Sequence, residues 1–289
     1  MRERALQIGK PTPLVGVMSE PEQFDPALPA ILILNSGVMH HVGTCRLSVN
    51  IGRAVAAAGL LAVRFDYSGL GDSESRRGGM SSEETTIAET QEVMDYIQKT
   101  RGTSHFFLYG LCSGADASYF TGLIDKRVVG MIKIDPYCYE TWQYPIRYYV
   151  PLLLNMERWK AFLSKKIKRL SGSGGDSKTP AAPGLDEQYL EVPKYSRRVP
   201  PREEVTLGLR ALVDRGVHLF VIFTGGAPEY IYTGQYRDSF RSVKFRDLLR
   251  VDYYPEVNHI ITNLDYQQRI VAAIAAWVAS IATQKLPAA

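Results

Sequence analysis

A cysteine stands at the centre of the segment Gly110-Leu111-Cys112-Ser113-Gly114, which follows an apolar run at residues 106–109 and precedes a helical pattern. This order is typical of a nucleophile elbow, a sharp strand-to-helix turn that exposes its central side chain. Glycines two residues to either side leave room for the turn. A thiol at this point is a strong nucleophile and would form a thioester with an acyl substrate. The segment therefore predicts covalent acyl chemistry at Cys112.

A cysteine nucleophile needs a base to take its proton and a third group to orient that base. Among the five histidines, His259 is the best placed, because it lies in a loop between the last predicted strand and the last predicted helix. Glu229 follows the apolar segment 217–223 and stands between nucleophile and histidine in the chain, the order typical of elbow enzymes. Asp135, which follows another apolar strand, is the alternative acid. The predicted catalytic residues are Cys112, His259 and Glu229.

Acyl transfer also requires backbone amides that stabilise the oxyanion of the tetrahedral intermediate. The amide of Ser113 is one candidate, since it follows the nucleophile at a helix N-terminus, where the helix dipole also favours a thiolate. The second donor is expected in the loop after the apolar run 30–34, and we assign it to Val38, with Met39 as the alternative. His41 lies in the same loop and is expected to contact the substrate.

The elements that must position these residues alternate between strands and helices. This alternation predicts an α/β fold in which helices cover both faces of a parallel sheet. The predicted strands are 5–9, 14–18, 30–34, 60–65, 105–110, 127–134, 217–223 and 249–254, and the predicted helices are 47–58, 82–99, 113–124, 203–215 and 264–282.

The alternation stops between residues 137 and 202, which predicts a cap inserted into a core formed by residues 1–136 and 203–289. Within this insertion, the Gly/Ser/Pro-rich stretch 171–184 is expected to be a mobile loop. The start of the cap is rich in aromatic residues. Three of them are candidates to line an acyl pocket or to form the core of the cap itself, namely Tyr137, Tyr139 and Trp142.

The bulk composition narrows the function classes. A net charge of +4 with only 22% charged residues does not predict the concentrated basic face of a nucleic-acid-binding protein. The longest apolar run, at residues 271–282, is short for a membrane span, and three scattered cysteines favour a reducing, cytoplasmic location. We find no His/Cys/carboxylate spacing typical of a metal site and expect no cofactor.

Taken together, these motifs resemble the α/β-hydrolase superfamily. The resemblance rests on the elbow at Cys112, the Gly37-Val38 loop, the turn Asp66-x-x-Gly69-x-Gly71-x-Ser73, and the late acid and histidine. It covers about residues 5–135 and 203–283. It implies an α/β-hydrolase fold with about eight strands, an active site at the carboxyl ends of the strands, and an inserted cap.

The chain departs from most members of that superfamily because it carries Cys112 where they carry serine. It is similar in this respect to dienelactone hydrolases, polyhydroxyalkanoate synthases and the acyl- or aminoacyl-shuttling transferases of nonribosomal peptide pathways. The resemblance implies a thioesterase or an acyl or aminoacyl transferase that acts on a small-molecule acyl substrate, free or presented on a carrier protein. The alternatives are a carboxylesterase or lactone hydrolase and, from another class, a non-catalytic binding protein of this fold.

Overall fold

The computed structural model describes residues 1–76, 79–154 and 199–284, and its centre is an eight-stranded sheet. The strands are β1 (Arg2–Ile8), β2 (Leu14–Glu20), β3 (Ala30–Ile33), β4 (Ala62–Phe65), β5 (Phe106–Leu111), β6 (Val128–Ile134), β7 (His218–Thr224) and β8 (Leu249–Tyr254). Their order across the sheet is β1-β2-β4-β3-β5-β6-β7-β8.

The sheet is mostly parallel. β2 runs antiparallel to both of its neighbours, and all pairings from β4 to β8 are parallel. Every residue of β3, β4, β5 and β6 is buried. Strands that are apolar at nearly every position, rather than at alternate positions, are typical of a parallel sheet covered on both faces. The predicted α/β-hydrolase fold is confirmed.

Seven α-helices connect or flank these strands within the described residues. They are α1 (Leu47–Ala57), α2 (Ser82–Arg101), α3 (Ser113–Ile124), α4 (Gln143–Leu154), α5 (Arg202–Asp214), α6 (Gln235–Ser239) and α7 (Leu264–Ala282). The sequence fixes several helix ends locally. Ser81 and Glu84 form a capping box at the start of α2, and the Asn263 side chain accepts two backbone N–H groups at the start of α7.

Two hydrophobic clusters lie on the two faces of the sheet. One is formed with side chains of α2, α3 and α5, including Val93, Tyr119 and Leu209. The other is formed with side chains of α1 and α7, including Ile51, Ile274 and Trp277. The helices therefore hold the sheet from both sides and leave its edge of strand ends free to carry polar side chains.

The chain divides into two compact units, residues 1–139 with 200–289, and residues 140–199. The described part of the second unit contains α4. The predicted mobile loop at 171–184 lies outside the described residues, and the cap stays a prediction. No helix in the described ranges is both long enough and apolar enough to cross a membrane.

Four neighbouring parallel strands carry the residues of the site at or just beyond their carboxyl ends. β5 ends at Leu111, β6 at Ile134, β7 at Thr224 and β8 at Tyr254. The carboxyl ends of parallel strands meet at one edge of a sheet, which is where ligands bind in open α/β folds. Cys112 and Asp135 each follow one of these strands directly.

Candidate active site

Cys112 occupies a sharp turn between β5 and α3. Its backbone is left-handed (φ 55°, ψ −117°), a conformation that costs roughly 1–3 kcal/mol in a residue with a side chain. The flanking glycines permit the turn, because a Cβ on Gly110 would overlap the backbone of Gly114 and a Cβ on Gly114 would lie 2.6 Å from the carbonyl oxygen of Asn35. The geometry is that of the predicted elbow.

His259 lies in the loop between β8 and α7, with its Nδ1 atom 2.6 Å from Oδ2 of Asp135. Asp135 is almost completely buried at the end of β6. Its carboxylate is held from the other side by Thr224, whose backbone N–H donates to Oδ1 (2.8 Å) and whose hydroxyl donates to Oδ2 (2.7 Å). These bonds fix the carboxylate and, through it, the orientation of the imidazole.

The imidazole also forms a hydrogen bond with Cys112. Hydrogen bonds with Asp135 and then with Cys112 raise the pKa of His259 to about 10, although partial burial acts in the opposite direction. A protonated imidazole beside a thiol favours the thiolate. The three side chains therefore form a continuous hydrogen-bonded chain, Cys112–His259–Asp135.

The structure corrects the pairing predicted for the acid. Glu229 is exposed in the loop after β7, and its side chain is not the partner of His259. The physical reason is the Gly225-Gly226 sequence in that loop: a side chain at Gly226 would overlap the backbone of His259, so the two loops pack backbone against backbone there. The acid beside the histidine is Asp135, the alternative that the sequence left open.

Iodoacetamide is expected to alkylate Cys112 rapidly at pH 6, more than two units below the ordinary thiol pKa of about 8.5. Because the pKa of His259 is raised to about 10, the imidazolium persists from pH 6 to 9 and the rate should change little over that range. In His259→Gln the rate should instead rise with pH toward an ordinary thiol profile. Peptide mass spectrometry measures this, with the exposed Cys45 as internal standard. Equal pH profiles for Cys112 and Cys45 in the wild type would contradict a pair formed by a Cys112 thiolate and a His259 imidazolium.

The three thiols differ in environment. Burial raises the pKa of Cys138 to about 12, against hydrogen bonds with Ser239 and the backbone of Tyr139, so this thiol is expected to be inert. Cys45 is exposed in a short 3₁₀ helix, Thr44–Arg46. Among the three, the pKa of a neighbouring histidine is raised by a hydrogen bond only at Cys112.

The loop after β3 contacts the elbow. The backbone N–H of Gly37 donates to Oγ of Ser113 (2.6 Å), which brings the predicted oxyanion loop against the start of α3. Val38, in the same loop, is 85% exposed. The amides of Val38 and Ser113 stay predicted oxyanion donors.

A buried carboxylate anchors the same loop. Asp66, which is 0% exposed, accepts hydrogen bonds from Nδ2 of Asn35 (2.9 Å), from the backbone N–H (2.5 Å) and Nδ1 (2.6 Å) of His41, and from the backbone N–H of Asp72 (3.1 Å). Burial alone would raise the pKa of Asp66, but these bonds hold it below its usual value. His41 is thus a support of the loop, and its predicted substrate contact remains a prediction.

The side chains of His41, Asp66 and Asp72 are also close enough to suggest a cation site. The hydrogen bonds around Asp66 argue against it, because both carboxylate oxygens already accept N–H donors. A hard cation needs free oxygen lone pairs. We therefore interpret this cluster as a structural anchor.

Asp66→Ala is expected to lower the free energy of unfolding by about 3 kcal/mol, because it leaves several buried donors without an acceptor. Since the folded pKa of Asp66 is lowered, its contribution is present above the unfolded pKa of about 3.9 and is lost as pH falls through the folded value. The difference between variant and wild type should therefore narrow in acid. Urea unfolding at pH 7 and pH 3 measures this. Asp72→Ala is the matched control, with an exposed side chain and an expected loss below about 0.5 kcal/mol.

The aromatic residues predicted to line a pocket have visible packing roles. Tyr137 is buried in the hydrophobic cluster that contains α3. Tyr139 donates from its hydroxyl to the carbonyl of Pro200 (2.6 Å) and packs edge-on against Phe240. Trp142, in the second unit, is 65% exposed. The substrate contacts predicted for these three residues stay predictions.

Comparison with known proteins identifies the family to which this chain belongs. A model of the serine aminopeptidase S33 family, Hydrolase_4, matches residues 27–201, more than half of the chain, including the elbow and Asp135. The chain belongs to the serine aminopeptidase S33 family. This S33 protein is therefore an enzyme of the hydrolase class, and its resemblance to the α/β-hydrolase superfamily is confirmed.

Solved structures agree on the fold of this S33 protein. It is similar to an α/β serine hydrolase without a lid from Xanthomonas campestris (15% identity, TM-score 0.56, covering 100% of this chain and 97% of that one). It is also similar to Est1E from Butyrivibrio proteoclasticus (12%, 0.57, 97% and 99%) and to the esterase domain of a Rhodothermus marinus protein (13%, 0.55, 97% and 99%). At these identities the likeness shows the fold alone. No curated protein matches the sequence.

Two residues that support the site, Thr224 and Asn35, lie in no sequence motif that predicts this role. Thr224 supports Asp135 from the last residue of β7, where the sequence shows only the end of an apolar run. Asn35 reaches Asp66 from a loop that was singled out for its backbone. Both depend on which strand ends become neighbours, and this information lies in the strand order.

Proposed function

We propose that this chain is an acyl-transfer enzyme that works through a thioester on Cys112. The observation that carries the proposal is the chain Cys112–His259–Asp135, in which the histidine is bonded to both a thiol and a buried carboxylate. The S33 family is named for serine enzymes, so the cysteine is the feature that distinguishes the chemistry proposed here.

In the first half-reaction the Cys112 thiolate attacks the acyl carbonyl carbon and a C–S bond forms. The carbonyl oxygen becomes an oxyanion, which the backbone amides of Ser113 and Val38 would stabilise. As the tetrahedral intermediate collapses, the bond to the leaving group breaks and His259 gives that group its proton. Asp135 holds the Nδ1–H of the imidazole, which leaves Nε2 to serve the reaction.

In the second half-reaction the same histidine acts as a base. Neutral after the first half-reaction, His259 takes the proton from water or from another nucleophile, which attacks the thioester carbonyl, and Cys112 leaves as a thiolate. Transfer from a donor thioester to Cys112 exchanges one thioester for another of similar free energy, whereas an ester on serine would be a more stable intermediate. This supports thioester donors, free or bound to a carrier protein.

Hydrolysis of esters or lactones is the second candidate. It is supported by the family, whose description is that of hydrolases, and by the esterase domain among the similar structures. The family description also makes peptide-like amides candidate donors. A non-catalytic binding protein is disfavoured by the intact arrangement of nucleophile, histidine and carboxylate.

Intact-mass spectrometry tests the proposal. The protein is mixed with an acyl N-acetylcysteamine thioester, p-nitrophenyl acetate or an aminoacyl p-nitroanilide, and the adduct is located by peptide mapping. We expect a mass gain on the peptide that contains Cys112. Decay of the adduct in water alone indicates a hydrolase, and decay only with added ethanolamine, alcohol or thiol indicates a transferase. Turnover that persists in Cys112→Ala, or an adduct on another residue, would contradict the proposal.

A further inference from the structure

A glutamine that no motif singles out joins the two loops on either side of the site. Gln267 lies in the first turn of α7 and is 2% exposed. Its Nε2 donates to the carbonyl oxygens of Cys45 (3.3 Å) and Ile261 (3.5 Å), and its Oε1 accepts from Nδ2 of Asn50 (2.8 Å). One buried amide therefore connects α1, the segment before α1 and the histidine loop.

Both carbonyl groups that accept hydrogen bonds from Gln267 belong to residues in a left-handed backbone conformation. Cys45 has φ 46° and Ile261 has φ 52°. A positive φ is a clear outlier for a β-branched residue such as isoleucine, and such a conformation persists only where its surroundings determine it. The Ile261 side chain is fully buried in the cluster that contains α7, and the amide of Gln267 holds its carbonyl.

Ile261 is connected to the imidazole of His259 through a short loop, residues 258–262, that internal hydrogen bonds stabilise. Its backbone N–H donates to the carbonyl of Asn258 (3.0 Å), and the Asn258 side chain accepts the backbone N–H of Thr262 (3.1 Å). His259 lies inside this loop, so a shift at Ile261 moves the imidazole. On the other side, Cys45 ends the loop that begins at Asn35 and contains the predicted oxyanion donor.

We propose that Gln267 is a positioning residue for the acyl chemistry: through Ile261 it sets the place of His259, and through Cys45 it sets the loop that carries Val38. This inference rests on the proposed function. A glutamine suits the task because its two N–H groups serve both carbonyls while its oxygen accepts a third bond.

Gln267→Met tests this, since methionine keeps the length of the side chain and removes its donors. We expect acylation by p-nitrophenyl acetate to fall at least tenfold, and alkylation of Cys112 by iodoacetamide at pH 6 to fall with it. Asn50→Ala is the matched control, because it removes one bond to Gln267 but leaves both carbonyls held. Asn50→Ala should keep the acylation rate within about threefold of wild type, even if its melting temperature falls as much as that of Gln267→Met.

Gln267→Glu gives a second readout if the methionine variant does not fold. A protonated carboxyl can donate to one carbonyl, whereas an ionised carboxylate repels both. Acylation relative to wild type should therefore be partly rescued at pH 5 and should fall as the pH rises to 8.

The outcomes separate this inference from the proposed function. If iodoacetamide does not alkylate Cys112 rapidly at pH 6 in the wild type, the proposed function itself is contradicted. A reactive wild type with Gln267→Met at full acylation rate would overturn the role of Gln267. So would losses in Gln267→Met and Asn50→Ala that simply follow their melting temperatures.

Discussion

Cys112→Ala is expected to abolish the acyl adduct and to lower kcat/KM for p-nitrophenyl acetate by at least about 10³-fold, because only binding and oxyanion stabilisation would remain. The backbone should keep its shape, since the flanking glycines determine the elbow. Adduct formation is measured by intact mass and turnover by nitrophenolate release. Cys138→Ala removes an inert buried thiol and is the matched control, with turnover expected to stay within about threefold of wild type. Turnover by Cys112→Ala close to wild type would place the nucleophile elsewhere.

Cys112→Ser tests the role of the thiolate, because this variant exchanges only the sulfur atom for oxygen. A hydroxyl does not ionise beside His259, so the hydrogen bond that helps to raise the histidine pKa would change. The serine variant should then need a neutral imidazole, and its activity should rise with pH where that of the wild type is nearly flat. A flat profile in both proteins would contradict the thiolate–imidazolium pair.

The second large effect is expected at Asp135. Asp135→Asn should lower kcat/KM by about 10³- to 10⁴-fold, the order of loss known when the carboxylate of a triad becomes an amide. The variant also places an amide N–H₂ near the two donors of Thr224, which the carboxylate now accepts. Because Asp135 is the largest cause of the raised His259 pKa, that pKa should fall toward its usual value, and alkylation of Cys112 at pH 6 should slow.

Glu229→Gln is the matched control for Asp135→Asn, since it makes the same chemical change at the acid that chain order favours. Its side chain is exposed, and kcat/KM should stay within about twofold of wild type. A large loss in this variant together with a small loss in Asp135→Asn would restore Glu229 as the acid.

Much of the fold could be predicted from the sequence because its strands are strongly apolar and its helices carry clear end signals. The helix predicted at 113–124 and the strand predicted at 249–254 have the observed bounds. The first strand begins at Arg2 instead of the predicted residue 5. The prediction missed its first three residues because they are charged and show no apolar pattern. Backbone pairing with β2 extends the strand to Arg2, and the pattern of side chains does not indicate that pairing.

The site was predictable to the extent that local chemistry determines it. Cys112 and His259 stand in recognisable sequence contexts, and the structure brings them together. The choice between Glu229 and Asp135 was not local, because it depends on whether the loop after β7 presents a side chain or its backbone to the histidine. Gln267 lies in no motif, because its side-chain amide donates to backbone carbonyl groups, which every residue type supplies.

The two glycines of the elbow also limit how this enzyme can diverge. Positions 110 and 114 cannot accept a side chain without rebuilding the turn, whereas position 112 already accommodates one that projects into the site. Exchange of sulfur for oxygen at that single position leaves the scaffold intact. The same turn can therefore present either a thiol or a hydroxyl, and the difference between the two is one atom of one side chain.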